Sequence, residues 1–169
     1  MDTQKAERVL RSIRNIRHEK FVLHGSPVRS NTLLPRRPKL GGFSNHRKTR
    51  GIKETGVYAT RLVEVAVLYA SLPYDLQWQV IRRERYIRVR FAGEEIRIRH
   101  GYIHVCRQTS FDGRGVITRS GRAVKVVRTF RVPPEVFLYL WGRKDIQLFD
   151  RLRRPRLTAP LRSSALSRH

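Results

Sequence analysis

Residues 21–26, Phe-Val-Leu-His-Gly-Ser, and residues 56–60, Gly-Val-Tyr-Ala-Thr, are the two stretches on which the reading of this chain turns. The first opens with an aromatic and a β-branched residue and runs into Gly25, Ser26 and Pro27. Such side chains suit a pleated, half-buried surface and Gly-Ser-Pro suits a turn, so the pattern predicts a short strand that gives way to a turn at His24. The second stretch predicts another short strand. Behind it Leu62, Val65, Ala66, Tyr69 and Ala70 recur at helical spacing, which predicts a helix ended by Pro73.

Working outward, Ala6, Val9, Leu10, Ile13 and Ile16 share one face of a helix over residues 4–17, while Arg8, Arg11, Arg14 and Arg17 fill the rest of its circumference. Residues 1–20 therefore read as a basic amphipathic helix packed on the body. Residues 30–53 have no periodicity and are rich in Pro, Gly, Asn and basic residues, as a long functional or disordered connection would be. Ile87, Val89 and Phe91 alternate with Arg88 and Arg90, and Ile96 and Ile98 alternate with Arg97 and Arg99. Joined by Ala-Gly-Glu-Glu, the two runs predict a β-hairpin with one face lined by Arg.

Further strands are expected at residues 102–106, 116–118, 124–127, 130–132 and 146–149, and a short helix from Pro134 through Trp141. Residues 151–169 are rich in Arg, with proline and no acid, and read as a disordered basic tail after a body at residues 21–150. The fold class expected is α+β in a single domain.

The 169 residues carry 37 Lys and Arg against 13 Asp and Glu, a formal net charge of +24. Self-repulsion of that size is relieved when a polyanion supplies the counter-charge, and nucleic acid is the commonest polyanion. Arg outnumbers Lys, and a planar guanidinium can grip phosphate with two hydrogen bonds or stack on a base. The residues expected to meet nucleic acid are Arg36, Arg37, Lys39, Arg47, Lys48 and Arg50 in the long connection, and Arg88, Arg90, Arg97 and Arg99 on the hairpin. Arg151, Arg153 and Arg154 of the tail join them.

Cys106 is the only cysteine, which excludes an intrachain disulfide and a multi-cysteine zinc site. A reducing, cytoplasmic compartment is expected, with no membrane and no metal; the N-terminal residues lack the apolar core of a signal peptide. His18, His24, His46, His100 and His104 could serve acid–base chemistry on RNA, but no spacing singles out a pair.

Leu-His-Gly-Ser at residues 23–26, the Gly-Val-Tyr-Ala-Thr strand and Tyr69 on the next helix together resemble the N-terminal half of the ADP-ribosyltransferase fold. Residues 101–105 and 124–137 are similar in layout to a small bacterial branch of that fold, which extends the resemblance to about residue 140. It implies split β-sheets and NAD as substrate. His24, Gly25, Ser26, Tyr58, Thr60 and Tyr69 would then contact NAD. His24 and Ser26 would bond ribose, the Gly25 backbone would pair with the nicotinamide amide, and Tyr58 and Tyr69 would stack on its ring.

The family's third element is a Glu on a later strand. The corresponding stretch here, residues 115–124, holds Ile117, Thr118 and Ser120 and no carboxylate, while Asp112 lies in the preceding loop. The resemblance implies that a hydrophobic residue can stand there in mono-ADP-ribosyltransferases, so the catalytic set expected is His24, Tyr58, Ile117 and Ser120. Taken singly, His24 and Ser120 also read as turn residues and Tyr58 and Tyr69 as core.

Two functions remain open at this point. One is a toxin-like mono-ADP-ribosyltransferase acting on nucleic acid, RNA before DNA, or on a protein bound to it, with an acidic antitoxin or inhibitor as a further partner. The other is a nucleic-acid-binding or ribosome-associated protein that has the fold without the reaction.

Overall fold

Phe21, Leu23 and Gly25 alternate with Val22, His24 and Ser26 along one strand, and that alternation divides the molecule. A computed structural model of the chain describes residues 3–17, 19–36, 55–72, 77–81, 86–90, 95–113, 117–149 and 156–158. Its elements run α1 (Thr3–Arg14), β1 (Phe21–Ser26), β2 (Thr32–Leu33), β3 (Val57–Thr60), α2 (Val63–Ser71), β4 (Gln77–Ile81), β5 (Tyr86–Arg90), β6 (Glu95–Arg97) and β7 (Gly101–Arg107). After a 3-10 turn at Gln108–Ser110 come β8 (Ile117–Ser120), β9 (Val124–Val132), α3 (Pro134–Gly142), β10 (Ile146–Phe149) and β11 (Arg156–Thr158).

The principal sheet has six strands in the order β2-β9-β7-β1-β3-β8, every neighbouring pair antiparallel. β10, β5 and β4 form a three-stranded sheet, and β11 pairs with β6 in parallel. The arrangement is α+β. All three helices contribute to one core, with Leu10, Ala66 and Phe137 buried against Leu23, Ile103 and Val105 of the principal sheet and Ile87 and Ile146 of the smaller one. A second core lies on the other face of the principal sheet, where Val22, Cys106, Val57 and Ala59 meet Leu33 and Phe111.

α1 follows its periodicity: Ala6, Leu10 and Ile13 are buried, the arginines face outward, and Arg11 and Arg14 sit in the last turn, where a cation complements the helix dipole. α2 is apolar nearly all round, so it packs between layers rather than on the surface. Its fit against the sheet depends on two glycines. A Cβ on Gly25 would overlap the Ala66 carbonyl, and one on Gly101 would overlap the backbone of Ala70. The helix thus lies directly on the backbone of β1 and β7. Arg99 holds its far end, the backbone N–H donating to the Ser71 carbonyl at 3.0 Å and Nη2 to the Leu72 carbonyl at 2.9 Å.

Several expectations need correction. β1 continues through His24, Gly25 and Ser26, because each pairs with β7 and Gly25 is held beneath α2. The hairpin between β5 and β6 does not form. β5 pairs with β4 and β10, and β6 pairs with β11, so tertiary partners override the local Ala-Gly-Glu-Glu turn signal. Residues 124–132 make one continuous strand, with a register shift opposite Val105 and Cys106 that leaves Val127 out of the ladder and 52% exposed. A bulge of this kind reverses the inward alternation: Val132 faces the helices, whereas Val124 belongs to the second core. Arg156–Thr158, inside the segment read as a disordered tail, forms β11.

Candidate functional site

The motif residues meet where β1 parts from β3. The two strands pair at Leu23 and Thr60, and one residue further on the His24 ring reaches across, Nδ1 donating to the Tyr58 carbonyl at 2.7 Å. Gly25 follows, and a Cβ there would lie 2.9 Å from Cβ of Tyr69 on α2. The fold therefore gathers His24, Gly25, Tyr58 and Tyr69 around one point of β1. Strand alternation separates their side chains. Leu23, Gly25, Tyr58 and Thr60 belong to the face covered by α2, whereas His24 and Ser26 belong to the other, with Val22, Val57 and Ala59.

On that second face His24 stands directly opposite His104 of β7, with ring centroids 5.9 Å apart. Tyr102 is next along β7, its ring centroid 6.4 Å from that of His104 and its backbone opposite Ser26. The chain leaving β1 crosses above, and the Ser30 N–H donates to Nε2 of His104 at 3.0 Å. A neutral imidazole has one N–H and one lone pair, so these bonds fix both tautomers. His24 carries its proton on Nδ1 and offers Nε2 as an acceptor. His104 carries its proton on Nδ1, which is buried beside the His24 backbone.

Burial holds the His24 pKa below its ordinary value, and the Arg36 cation adds to the effect against the favourable Tyr58 carbonyl. Burial, with the neighbouring His24 ring, lowers His104 to about 4. Both rings are neutral at pH 7, and with His104 Nε2 taken by Ser30, the acceptor the pair has left to offer is Nε2 of His24. Cys106 is buried on the same strand and its thiol is pushed up to about 12, which makes it a packing residue.

The remaining site residues have local roles. The Ser26 hydroxyl accepts the Val28 N–H at 3.2 Å, and the Thr60 hydroxyl accepts the Leu62 N–H at 3.1 Å, opening the turn into α2. Ser120 Oγ bonds the Arg122 carbonyl at 3.2 Å and accepts its N–H at 3.3 Å. Ile117 packs against the helix-side core. These are turn and core functions, and β8 brings no carboxylate to the site.

Among the basic residues, Arg36 and Arg97 are exposed, whereas Arg99 is half-buried and engaged at the end of α2. Arg88 and Arg90 are placed by register alone, opposite Gln79 and Gln77 of β4. Arg37, Lys39, Arg47, Lys48, Arg50, Arg151, Arg153 and Arg154 lie outside the described residues. Among the described residues, no group of three or more His, Cys, Asp or Glu could hold a metal, and no helix is long and apolar enough to cross a membrane.

Sequence reasoning did not find the partnership of His24 with His104, because it depends on the β1–β7 register across a separation of 80 residues. Comparison with protein-family models, curated proteins and solved structures found no match to this chain.

Proposed function

We propose that this chain is an ADP-ribosyltransferase-like protein that transfers ADP-ribose from NAD to nucleic acid, RNA before DNA, or to a protein bound to it. The observation that supports this reading is the meeting of β1, β3 and α2 at Gly25, with the His24 ring bonded to the Tyr58 carbonyl and Tyr69 against Gly25. Gly25 lies just past the point where β1 parts from β3, and in this reading the carboxamide pairs with the backbone edge of β1 there. Tyr58 and Tyr69 supply aromatic faces for a nicotinamide ring. His24 Nε2, left as an acceptor, suits a ribose hydroxyl.

The bond between C1′ and the nicotinamide nitrogen breaks with its electron pair leaving on nicotinamide. An oxygen or nitrogen of the acceptor forms the new bond to C1′ and gives up its proton to solvent. The chain's contribution is then positioning and exclusion of water. In this reading the protein is cytoplasmic and toxin-like, and an acidic antitoxin or inhibitor would neutralise its charge.

One observation favours the second reading, a nucleic-acid-binding or ribosome-associated protein without the reaction. The hydroxyls of Ser26, Thr60 and Ser120 are engaged in turns, and β8 has no carboxylate to stabilise a cationic ribose. Incubation with labelled NAD and RNA, DNA or protein separates the two. The enzyme reading expects nicotinamide release and label on the acceptor, both abolished by Tyr58→Ala in a protein that still binds RNA. No release with any acceptor, together with RNA binding that falls steeply with salt, overturns it in favour of the second.

A further inference from the structure

A cavity of about 760 Å³ opens at the start of β1, lined by Lys20, Phe21, Arg61, Arg107, Gln108 and Phe111 among others. Phe21 is four residues from Gly25, about 13 Å along an extended strand, so this cavity is separate from the motif residues. Its size is that of a small-molecule site.

The cavity has a built floor. Gln108 is fixed at three points: its backbone N–H donates to the Lys20 carbonyl at 2.9 Å, its Nε2 donates to the Gly113 carbonyl at 3.0 Å, and its Oε1 faces Arg61. Gly113 has φ of 79°, a conformation that glycine adopts without strain, and so shapes the turn that orients the amide. Arg61 then donates from Nε at 3.3 Å and Nη2 at 3.0 Å to that single amide oxygen.

Arg61, itself half-buried, is thus held by a neutral group and has no carboxylate partner among the described residues, unlike Arg14 with Glu64 or Arg143 with Asp145. Its other N–H donors remain available. Lys20 and Arg107 add two exposed cations, against the one carboxylate of Glu19, and Phe21 and Phe111 supply aromatic wall. A cation pre-ordered by a neutral amide, beside aromatic wall, is complementary to a phosphate attached to a flat ring.

We infer that this cavity is a nucleotide-binding site, in which Arg61 takes the phosphate and the wall of Phe21 and Phe111 takes the base. The nucleotide is either free or a unit of a single-stranded chain. The inference does not rest on NAD chemistry: a Tyr58 variant tests that reading and an Arg61 variant tests this one.

Calorimetric titration of the full chain with AMP, adenosine, inorganic phosphate and a five-nucleotide single-stranded RNA is the experiment. AMP should bind at least tenfold more tightly than adenosine or phosphate. Arg61→Gln should weaken AMP at least tenfold, while Arg8→Gln on the outer face of α1 should change it less than twofold. RNA tighter than AMP identifies a chain as the ligand, and AMP tighter identifies a free nucleotide. Equal loss in the Arg8 and Arg61 variants, or no preference for AMP over phosphate, overturns the site. Should Arg61→Gln fail to fold, photo-crosslinking of 8-azido-AMP to the native chain decides. Label on peptides containing Phe21 or Phe111 supports the site, and label elsewhere overturns it.

Discussion

On one face of the principal sheet Gly25 and Gly101 lie against the backbone of α2; on the other, His24 and His104 stand side by side beneath the chain leaving β1. The first face is fixed by shape, since no side chain fits between strand and helix at Gly25 or Gly101. The second is fixed by hydrogen bonds, with two neutral rings each held in one tautomer. A change on the first face should act through exclusion of atoms and be indifferent to pH. A change on the second should be felt through protons.

The largest effect is expected from Gly101→Ala. Its Cβ would overlap the Ala70 backbone, and a backbone cannot move aside as a flexible side chain can. The loss should reach about 3 kcal/mol or more, read by urea denaturation, with little change between pH 7 and pH 5. Gly101 lies outside the motif residues, so a mild effect here would break the claim that α2 is seated by shape.

Next comes acid sensitivity of the histidine face. A histidine whose folded pKa is lowered binds its proton more readily in the unfolded chain. Its contribution is therefore complete above the unfolded value of 6.5 and is lost as pH falls toward the folded value, about 4 for His104. Stability should drop by on the order of 2 kcal/mol between pH 6.5 and 4.5, with His24 adding in the same direction. His104→Gln keeps an acceptor for the Ser30 N–H and removes the titration. Its urea midpoint should depend less on pH than that of the parent chain. An unchanged pH dependence would remove His104 from the account.

The two faces also differ in how far they can be read from sequence. The motif spacing located Gly25, Tyr58 and Tyr69, the period of apolar residues located α1 and α2, and the proline at its start located α3, because these signals are local. The glycine at position 25 was legible as a site where backbone must be approached closely, although here it is α2 that approaches. The histidine pair and the Arg61–Gln108 floor were not legible, since each joins residues whose proximity is set by sheet register. β9 misled for a related reason: the bulge at Val127 interrupts the alternation, and one strand imitates two. The β5–β6 hairpin misled because the turn signal carried no information about β4 and β10, which take both edges of β5, or about β11, which pairs with β6.

A smaller effect is expected from His24→Ala. It leaves the Tyr58 carbonyl without its ring donor, and an unmet, part-buried acceptor costs about 1–2 kcal/mol. Restoring a donor with His24→Asn should recover part of that stability. If the proposed NAD reading holds, transfer activity should not recover with it, because the Nε2 acceptor is still absent. Recovery of both would reduce His24 to a brace for β3.

The smallest effect sharpens the comparison from the helix side. Arg14 of α1 pairs with Glu64 of α2 at 2.9 Å, and it is tempting to credit this bridge with holding the helices together. Its arginine is 43% exposed, however, and a pair so open to water is screened and contributes little. Removing one cation from a chain with a net charge of +24 also relieves repulsion, which offsets the lost attraction. Arg14→Ala should therefore change stability by no more than about 0.5 kcal/mol at physiological salt. A loss several times larger would mean that charge as well as shape seats the helix layer, and that the contrast between the two faces is one of degree.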